Sequence, residues 1–582
     1  MEPKVNAVLA DASTALAIES VVRCNVRLCA EMPWTAVDLL VLPRGPEHLI
    51  MGAPITRSVY AVPAGDLPVF RYHMPGEKRE PDGLEDPREP VLLGEVSDAA
   101  SSLLDRLNGL DCARMNDDEA LSLGREAATA GLIPTVCETA AGITRERLAT
   151  LFRLLLESRE AFGPVDNVPA KLPPAKFYLK PDAVPRRFQP RRFSKDDEEF
   201  VTDQLRKWEQ LGIIVPCSGS PWASRLVVAR RADGSRRLCV SYVYANSQCL
   251  DEPNALPRIQ DVILGCAGGA FLSSYDLSSG YLQMLVDEES RDVLAFATSR
   301  GVFTFTRVPF GIKPAPALFH RAIADAIADI GSAHNYLDDV GLISKHWDEF
   351  VADTRRWLEQ AIHLHLRIGA KKSKLLHERL SFLGRLITSS GYTVDPARLQ
   401  GIRDLALPHD RRSLLSVLGL LKYFAPFVPD FHRLAAGLMD LTKAGRRFVW
   451  SDQLTADVEA IRARLLANPL FLSFPDPALV FYLATDASEL GCGVLLLQAS
   501  PGVSVDFGDP ERPAQPLNVL AVLSHKWSDV QSRWTTTERE AFAVVWGLQK
   551  CASLIVGQMP VNILCDHANL LHWETSANAK LM

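Results

Sequence analysis

The chain predicts a mixed α/β protein of several domains, and three features of its sequence carry that expectation. Apolar runs of strand length end repeatedly in aspartate, at Ala270–Asp276, at Ala478–Asp486 and at Val561–Asp566, and a further pair of short runs brackets Asp338-Asp339. Between these runs lie stretches with apolar residues at helical spacing, such as 194–211 and 347–366. With 582 residues, 47% apolar and 23% charged, the chain has enough apolar surface for more than one core and is not a disordered protein.

Composition also bounds the chemistry. The 11 Cys residues show no CxxC pair and no His-rich partner cluster, which argues against a zinc site or a disulfide framework and for a reducing interior. No stretch approaches a membrane span, and Met1-Glu2-Pro3-Lys4 does not begin a signal peptide, so a cytoplasmic or nuclear protein without a membrane partner is expected. A net charge of −7 argues on its face against a nucleic-acid partner. From Lys171 to Val240, however, 15 Lys and Arg stand against 8 Asp and Glu. A local basic stripe is the relevant footprint, and it is present.

Taken in order, residues 1–64 hold short β-like runs, among them Val21–Leu28 and Val37–Leu42, and close on His48-Leu49-Ile50-Met51-Gly52. That closing pattern is similar to the second half of a retropepsin-like aspartic protease. The Asp-Thr/Ser-Gly triplet is missing, and Asp11 reads as a surface-turn residue. A protease remnant and an unrelated small β domain both fit. Residues 65–160 read as a linker, with Pro, Gly and charge from Arg71 to Pro90, followed by helical spacing at 99–110 and 143–156 that packs or tethers. From Ser194 an amphipathic helix places Phe200, Val201, Leu205, Trp208 and Leu211 on one side, and Gly212 ends it. Leu226–Ala229 is a strand, and Arg230–Arg237 with its Asp-Gly pair reads as a basic hairpin.

Asp338-Asp339 is where chemistry concentrates. Two adjacent carboxylates between apolar runs repel each other and disfavour a strand, so a tight turn held by divalent cations fits as well as a solvated one. Asp276 ends a strand before a Ser/Gly turn, where it serves equally as a helix cap. Between the two sites runs Phe303–Phe319, an alternating strand, a Pro/Gly loop with Phe310-Gly311, and a helix start. In this order the motifs resemble the reverse transcriptase of Gypsy/Ty3-type long-terminal-repeat retrotransposons, and the resemblance runs from about Phe188 to the last residue.

That resemblance implies a right-hand polymerase fold of fingers, palm and thumb, followed by a ribonuclease-H-like domain. It implies boundaries at 161–345 for fingers and palm, 346–445 for thumb and connection, and 446–582 for the ribonuclease-H-like domain. The implied activity is primer extension on an RNA or DNA template with deoxynucleoside triphosphates, using Mg²⁺, with Mn²⁺ as a substitute. Asp276, Asp338 and Asp339 match the polymerase carboxylates, and Tyr281 matches the ring that excludes a 2′-hydroxyl. Arg230 and Arg237 match phosphate ligands, Phe310-Gly311 the nucleotide pocket, and Lys372 a lysine facing the leaving pyrophosphate. Their plain alternatives are a solvated hairpin for the arginines, core packing for Tyr281 and a surface lysine for Lys372. Where the family has Val-Asp-Tyr-Arg this chain has Val240-Ser241-Tyr242-Val243, which puts the rigidity of the fingers in doubt. Losing both charges is milder than losing one, because no partner is stranded.

In the last domain Asp486, Glu540 and Asp566 match three ribonuclease H carboxylates and imply an RNA–DNA hybrid as second partner. Glu540 has a simpler account as the far end of a capping box opened by Thr537. Only Ala568–Met582 follow Asp566-His567, so weak or absent hybrid cleavage is expected. The resemblance also implies residence in the element's cytoplasmic virus-like particle or in the nucleus. A decayed element that binds nucleic acid without catalysis is the rival reading.

Overall fold

The computed structural model describes residues 98–570 apart from 109, 141, 231–235, 251, 253–255, 444, 468, 502–516, 558–559 and 566–569, together with the strand backbones Asn6–Val8, Ala15–Ala17, Ser20–Val26 and Thr35–Val41. The chain divides into two compact units, one of residues 80–383 and the other of residues 1–79 with 384–582. The stretch expected as a thumb and connection, 346–445, is therefore shared between them. Among the described residues no helix is long and apolar enough to cross a membrane.

In the 80–383 unit, helix Lys195–Gln210 starts where the sequence places it. The Ser194 side chain accepts a hydrogen bond from Asp197 N, and Val201, Leu205 and Trp208 are buried. Beyond Leu211, Gly212 takes a left-handed φ of 64°, a conformation glycine adopts without strain. This helix accompanies a five-stranded sheet ordered Ile214–Pro216, Gly301–Phe305, Phe296–Thr298, Ser224–Arg230, Arg236–Ser241. A second five-stranded sheet runs Ala333–Tyr336, Asp339–Ser344, Phe271–Asp276, Lys374–Leu375, Thr135–Val136. Helix Trp347–His363 lies against it: Trp347 and Phe350 pack on Phe271, and Trp357 meets Tyr275 edge-on at 6.2 Å.

The stretch from 65 to 160, whose helices are expected to pack or tether, contributes to this same core. Helices Asp117–Thr129 and Arg145–Glu157 bury Leu121, Leu148, Leu151, Phe152 and Leu155 in the apolar cluster that also contains Tyr275, Leu342 and Trp357. Their close approach depends on Gly124, where a Cβ would stand 2.3 Å from the Phe152 ring. Strand Thr135–Val136 then pairs in parallel with Lys374–Leu375 and forms the sheet's outer edge. The expected Pro/Gly linker from Arg71 to Pro90 lies outside the described residues.

In the other unit, helices Arg411–Tyr423, Phe431–Leu441 and Asp452–Ala467 close on Leu414, Leu418, Leu438, Leu454 and Val458. A six-stranded sheet is ordered Asn518–Lys526, Gly491–Ala499, Val480–Ala487, Val561–Cys565, Thr35–Val41, Ser20–Val26. Two strands of the stretch expected as a protease remnant thus pair onto this sheet's edge. Asp11 lies outside the described residues. Helix Phe431–Leu441 is fastened to strand Asn518–Lys526 by His432 Nδ1 to Ser524 Oγ at 2.7 Å and by Lys526 Nζ to Asp440 Oδ2 at 2.7 Å. That attachment explains why residues 384–445 group with the C-terminal domain and not with the fingers and palm.

Candidate active site

The hairpin of Ala333–Tyr336 and Asp339–Ser344 pairs Tyr336 with Asp339, which leaves Leu337 and Asp338 as its two-residue turn. Leu337 adopts φ 59°, a conformation that favours glycine and costs a leucine on the order of 1–2 kcal/mol. Asp339 in turn lies opposite Asp276 in the neighbouring strand. Leu277 N donates to Asp338 O at 3.0 Å, so the two acidic turns are tied through their backbones. At Gly280 a Cβ would lie 3.1 Å from Asp338 Cβ and 2.9 Å from the Phe319 ring, so the turn after Asp276 approaches Asp338 closely only with glycine there.

Burial and repulsion raise the cost of charge here. Burial pushes the Asp276 carboxyl up to about 6; Lys372 opposes that rise, and the charge of Asp338 adds to it. Asp338 is also raised, again mainly by burial. Lys372 Nζ stands 3.7 Å from Asp276 Oδ2, so the cation nearest these carboxylates is a protein ammonium. Among the described residues no three His, Cys, Asp or Glu side chains are gathered as a metal cage. Two half-buried carboxylates in each other's field, with Asp339 opposite one of them, are nonetheless the hard oxygen donors that a divalent ion such as Mg²⁺ prefers, and its charge would relieve their repulsion.

A line of rings leads away from Asp338. Tyr281 packs on Phe319 and on Phe310, both at 5.3 Å, and burial together with the Asp338 charge raises its hydroxyl above the usual phenol range. Arg237 then lies over the Phe310 ring with Cζ 4.7 Å from its centre. Gly311 takes φ 91°, and Asn246 pins that loop, donating to Gly311 O and accepting from Lys313 N, each at 2.8 Å. These contacts thus link Asp276, Asp338, Asp339, Tyr281, Phe310, Gly311, Arg237 and Lys372 in one continuous series.

Arg230 is not among them. In the hairpin Arg230 pairs with Arg236 and Ala229 with Arg237, and since side chains alternate faces, Arg230 and Arg237 point to opposite sides. Arg230 and Arg236 both turn to Asp197, at 3.0 and 3.4 Å. Strand parity thus sets Arg230 and Arg237, both expected to match phosphate ligands, on opposite faces of the hairpin. Residues 231–235 of that hairpin lie outside the described residues.

The altered Ser241-Tyr242-Val243 segment is held by other means. Tyr242 is buried and donates to Leu294 O at 3.0 Å, while Val243 is 79% exposed. Beside it, Arg186 and Arg225 lie on Phe188 at 4.7 and 4.9 Å, and Arg186 also reaches the Tyr244 ring. Neither guanidinium meets a carboxylate among the described residues. In the sequence Arg186-Arg187-Phe188 marks the start of the polymerase-like stretch, but the stacking of Arg186 and Arg225 on Phe188 was not legible; the signal available was the charge excess of 171–240.

In the C-terminal sheet Asp486 and Glu540 come together. Glu540 is 2% exposed, and its Oε1 accepts from Ala487 N at 2.9 Å. The capping box at that helix is made by Thr535 and Glu538 instead, so the simpler account of Glu540 as a cap is withdrawn. Burial first, then the charges of Glu540 and Asp486, push the Cys492 thiol up to about 12. Asp566 follows Cys565 directly and lies outside the described residues.

Residues 244–387 match the family described as "Reverse transcriptase (RNA-dependent DNA polymerase)", and residues 476–582 match "RNase H-like domain found in reverse transcriptase". The retrovirus-related Pol polyproteins from transposons opus and gypsy of Drosophila melanogaster are 27% and 26% identical, each over 66% of this chain and over 38% and 37% of their own length. The transposon Tf2-3 polyprotein of Schizosaccharomyces pombe is 26% identical over 64% of this chain and 27% of its own. The chain spans less than two-fifths of the length of these relatives. Among solved structures, the foamy viral protease-reverse transcriptase in complex with dsDNA superposes with a TM-score of 0.65 at 18% identity, covering 78% of this chain and 91% of that one. The same enzyme with an RNA/DNA hybrid gives 0.62 at 19%, covering 75% and 57%. The chain thus carries a match to a reverse transcriptase domain followed by a match to an RNase H-like domain, and it is similar over about two thirds of its length to transposon Pol polyproteins.

Proposed function

We propose that the chain is an RNA-directed DNA polymerase that extends a primer on an RNA or DNA template. The observation that carries this reading is the convergence of Asp276 and Asp338, both destabilised as anions, at one end of the Tyr281–Phe310–Arg237 line. Asp276 and Asp338, supported by Asp339, would hold divalent ions, Mg²⁺ in the first instance; when bound, these activate the primer 3′-hydroxyl and stabilise the oxygen leaving the α-phosphate. Arg237, preorganised on Phe310, offers a guanidinium to the triphosphate. Tyr281, fixed between Phe310 and Phe319, sits under the sugar and excludes a 2′-hydroxyl. Lys372 balances the carboxylates and faces the departing pyrophosphate. Arg186 and Arg225, stacked on Phe188, offer unpaired charge to the template backbone. That relatives of this fold were solved with dsDNA and with an RNA/DNA hybrid supports those partners here. In the second domain Asp486, Glu540 and Asp566 are the carboxylates proposed to act on a hybrid.

Primer extension on an RNA template with Mg²⁺ tests the reading. Asp338→Asn should abolish extension and leave primer–template affinity near parental, because binding is spread over many basic contacts and chemistry is not. Equal extension rates in the variant and the parent would remove the site.

A further inference from the structure

Asp276 is gripped from behind by a segment that none of its own neighbours explains. Residues 367–373 run beside the Asp276 turn: Ser278 N donates to Arg367 O at 2.9 Å and Gly369 N to Asp276 O at 2.7 Å. Asp276 N donates to Ser373 Oγ at 3.1 Å, and that hydroxyl donates to Gly369 O at 2.8 Å. Across this junction lies Gln283, 2% exposed, with its whole amide committed. Its Nε2 donates to Ser278 O at 2.8 Å and to Arg367 O at 2.9 Å, and its Oε1 accepts from Arg367 N at 2.8 Å. Arg367 is anchored on its far side by Asp166, with Nε 3.1 Å from Oδ2. There is no slack in the fit, since a Cβ at Gly369 would stand 3.2 Å from Asp276 Oδ2. The same segment ends in Lys372, whose Nζ is 3.7 Å from that oxygen.

We propose that Gln283, with Ser373, is a positioning residue: its buried amide clamps the Asp276 turn to the 367–373 segment and thereby sets Asp276 and Lys372 relative to each other for nucleotidyl transfer. The inference rests on the polymerase reading above. A buried glutamine that only stabilised the fold would act on folding alone. One that holds a carboxylate and an ammonium in register acts on the rate of a bound complex, because displacement of about 1 Å at reacting groups costs roughly a hundredfold.

The test compares Gln283→Met with Gln498→Met in the full chain. Gln498 is also fully buried and also holds three backbone groups, Asp476 N, Asp476 O and Leu479 O, but in the C-terminal unit. Gln283→Met should lower kcat for nucleotide addition on an RNA template by roughly ten- to a hundredfold, with KM for the nucleotide and primer–template affinity near parental. Gln498→Met should lose thermal stability by a similar amount and keep its kcat. Ser373→Ala, a smaller change, should lower kcat in the same direction and serves if Gln283→Met does not fold. Parental kcat in Gln283→Met or, should that variant not fold, in Ser373→Ala would overturn the inference, as would an equal kcat loss in Gln498→Met. Amide hydrogen exchange separates this from the polymerase reading. A parent that extends no primer ends that reading, while faster exchange at Ser278 and Gly369 in Gln283→Met still supports the clamp and unchanged protection overturns it.

Discussion

Individual side chains carry the chemistry, and Tyr281 is where the proposed selectivity resides. Its ring packs on both Phe310 and Phe319. Tyr281→Ala should therefore raise incorporation of ribonucleotides relative to deoxynucleotides, measured as the ratio of kcat/KM on one template, and an unchanged ratio would return Tyr281 to packing. The acidic residues were legible in the sequence because aspartate at the end of an apolar run conflicts with strand propensity, and such conflicts mark sites. The face that Arg230 occupies, away from Arg237, was not legible. Charge and spacing are visible in a sequence, but which face of a hairpin a residue occupies depends on register, and register is set by partners far along the chain. Gln283 was invisible: an amide among apolar residues carries no signal until the backbone groups it satisfies are known.

Elements were read with uneven success. Helix Lys195–Gln210 was legible in the sequence because cap, apolar stripe and terminating glycine agree. Of the helices before residue 160, those near 99–110 and 143–156 were read from their spacing as packing or tethering, whereas helix Asp117–Thr129 and the partners they all pack against were not, since the partner of an apolar stripe is a tertiary fact. Gly124 shows what that role demands. Alanine in a helix interior is normally favoured over glycine by about 1 kcal/mol, yet here a methyl group would meet the Phe152 ring. Gly124→Ala should thus destabilise the 80–383 unit by about 1–3 kcal/mol, read from the denaturation midpoint. In the C-terminal unit, His432 is buried against strand Asn518–Lys526, and burial, helped by the charges of His525 and Lys422, lowers its imidazole to about 4. A histidine depressed in the folded state contributes stability that is present above its unfolded value of about 6.5 and is lost as pH falls through the folded one. Acidification from pH 6.5 to 4 should lower the stability of this unit, by on the order of 1 kcal/mol once solvent screening of the half-buried ring is counted. His432→Gln should flatten that dependence in a pH series of melting midpoints.

Across the whole molecule, charge is segregated: a chain of net charge −7 carries 15 Lys and Arg against 8 Asp and Glu between Lys171 and Val240. Affinity for a primer–template should fall steeply with salt despite the acidic total. Replacing Arg186 and Arg225 together by alanine should weaken binding on any sequence and reduce the salt slope by about 2, measured by titration at several ionic strengths. A slope identical to the parent's would show that the stacked arginines face away from nucleic acid. The two-unit division was not legible, because the residues that attach 384–445 to the C-terminal sheet, His432 and Asp440 among them, are unremarkable in a sequence.

The parallel pairing of Thr135–Val136 with Lys374–Leu375 has a kinetic consequence. Helices Asp117–Thr129 and Arg145–Glu157 are neighbours in sequence and can associate early, while the chain is still being made. Their short strand must then wait for a partner more than two hundred residues downstream, and that same partner segment brings the 367–373 grip on Asp276. During synthesis the nascent palm therefore passes through a state with an unpaired strand edge and exposed apolar surface, the condition in which chains aggregate or recruit chaperones. Fixing of the Asp276 turn and closure of the sheet become the same late event, so pulse-labelled hydrogen exchange on refolding should show Lys374 and Gly369 gaining protection together, after the helices.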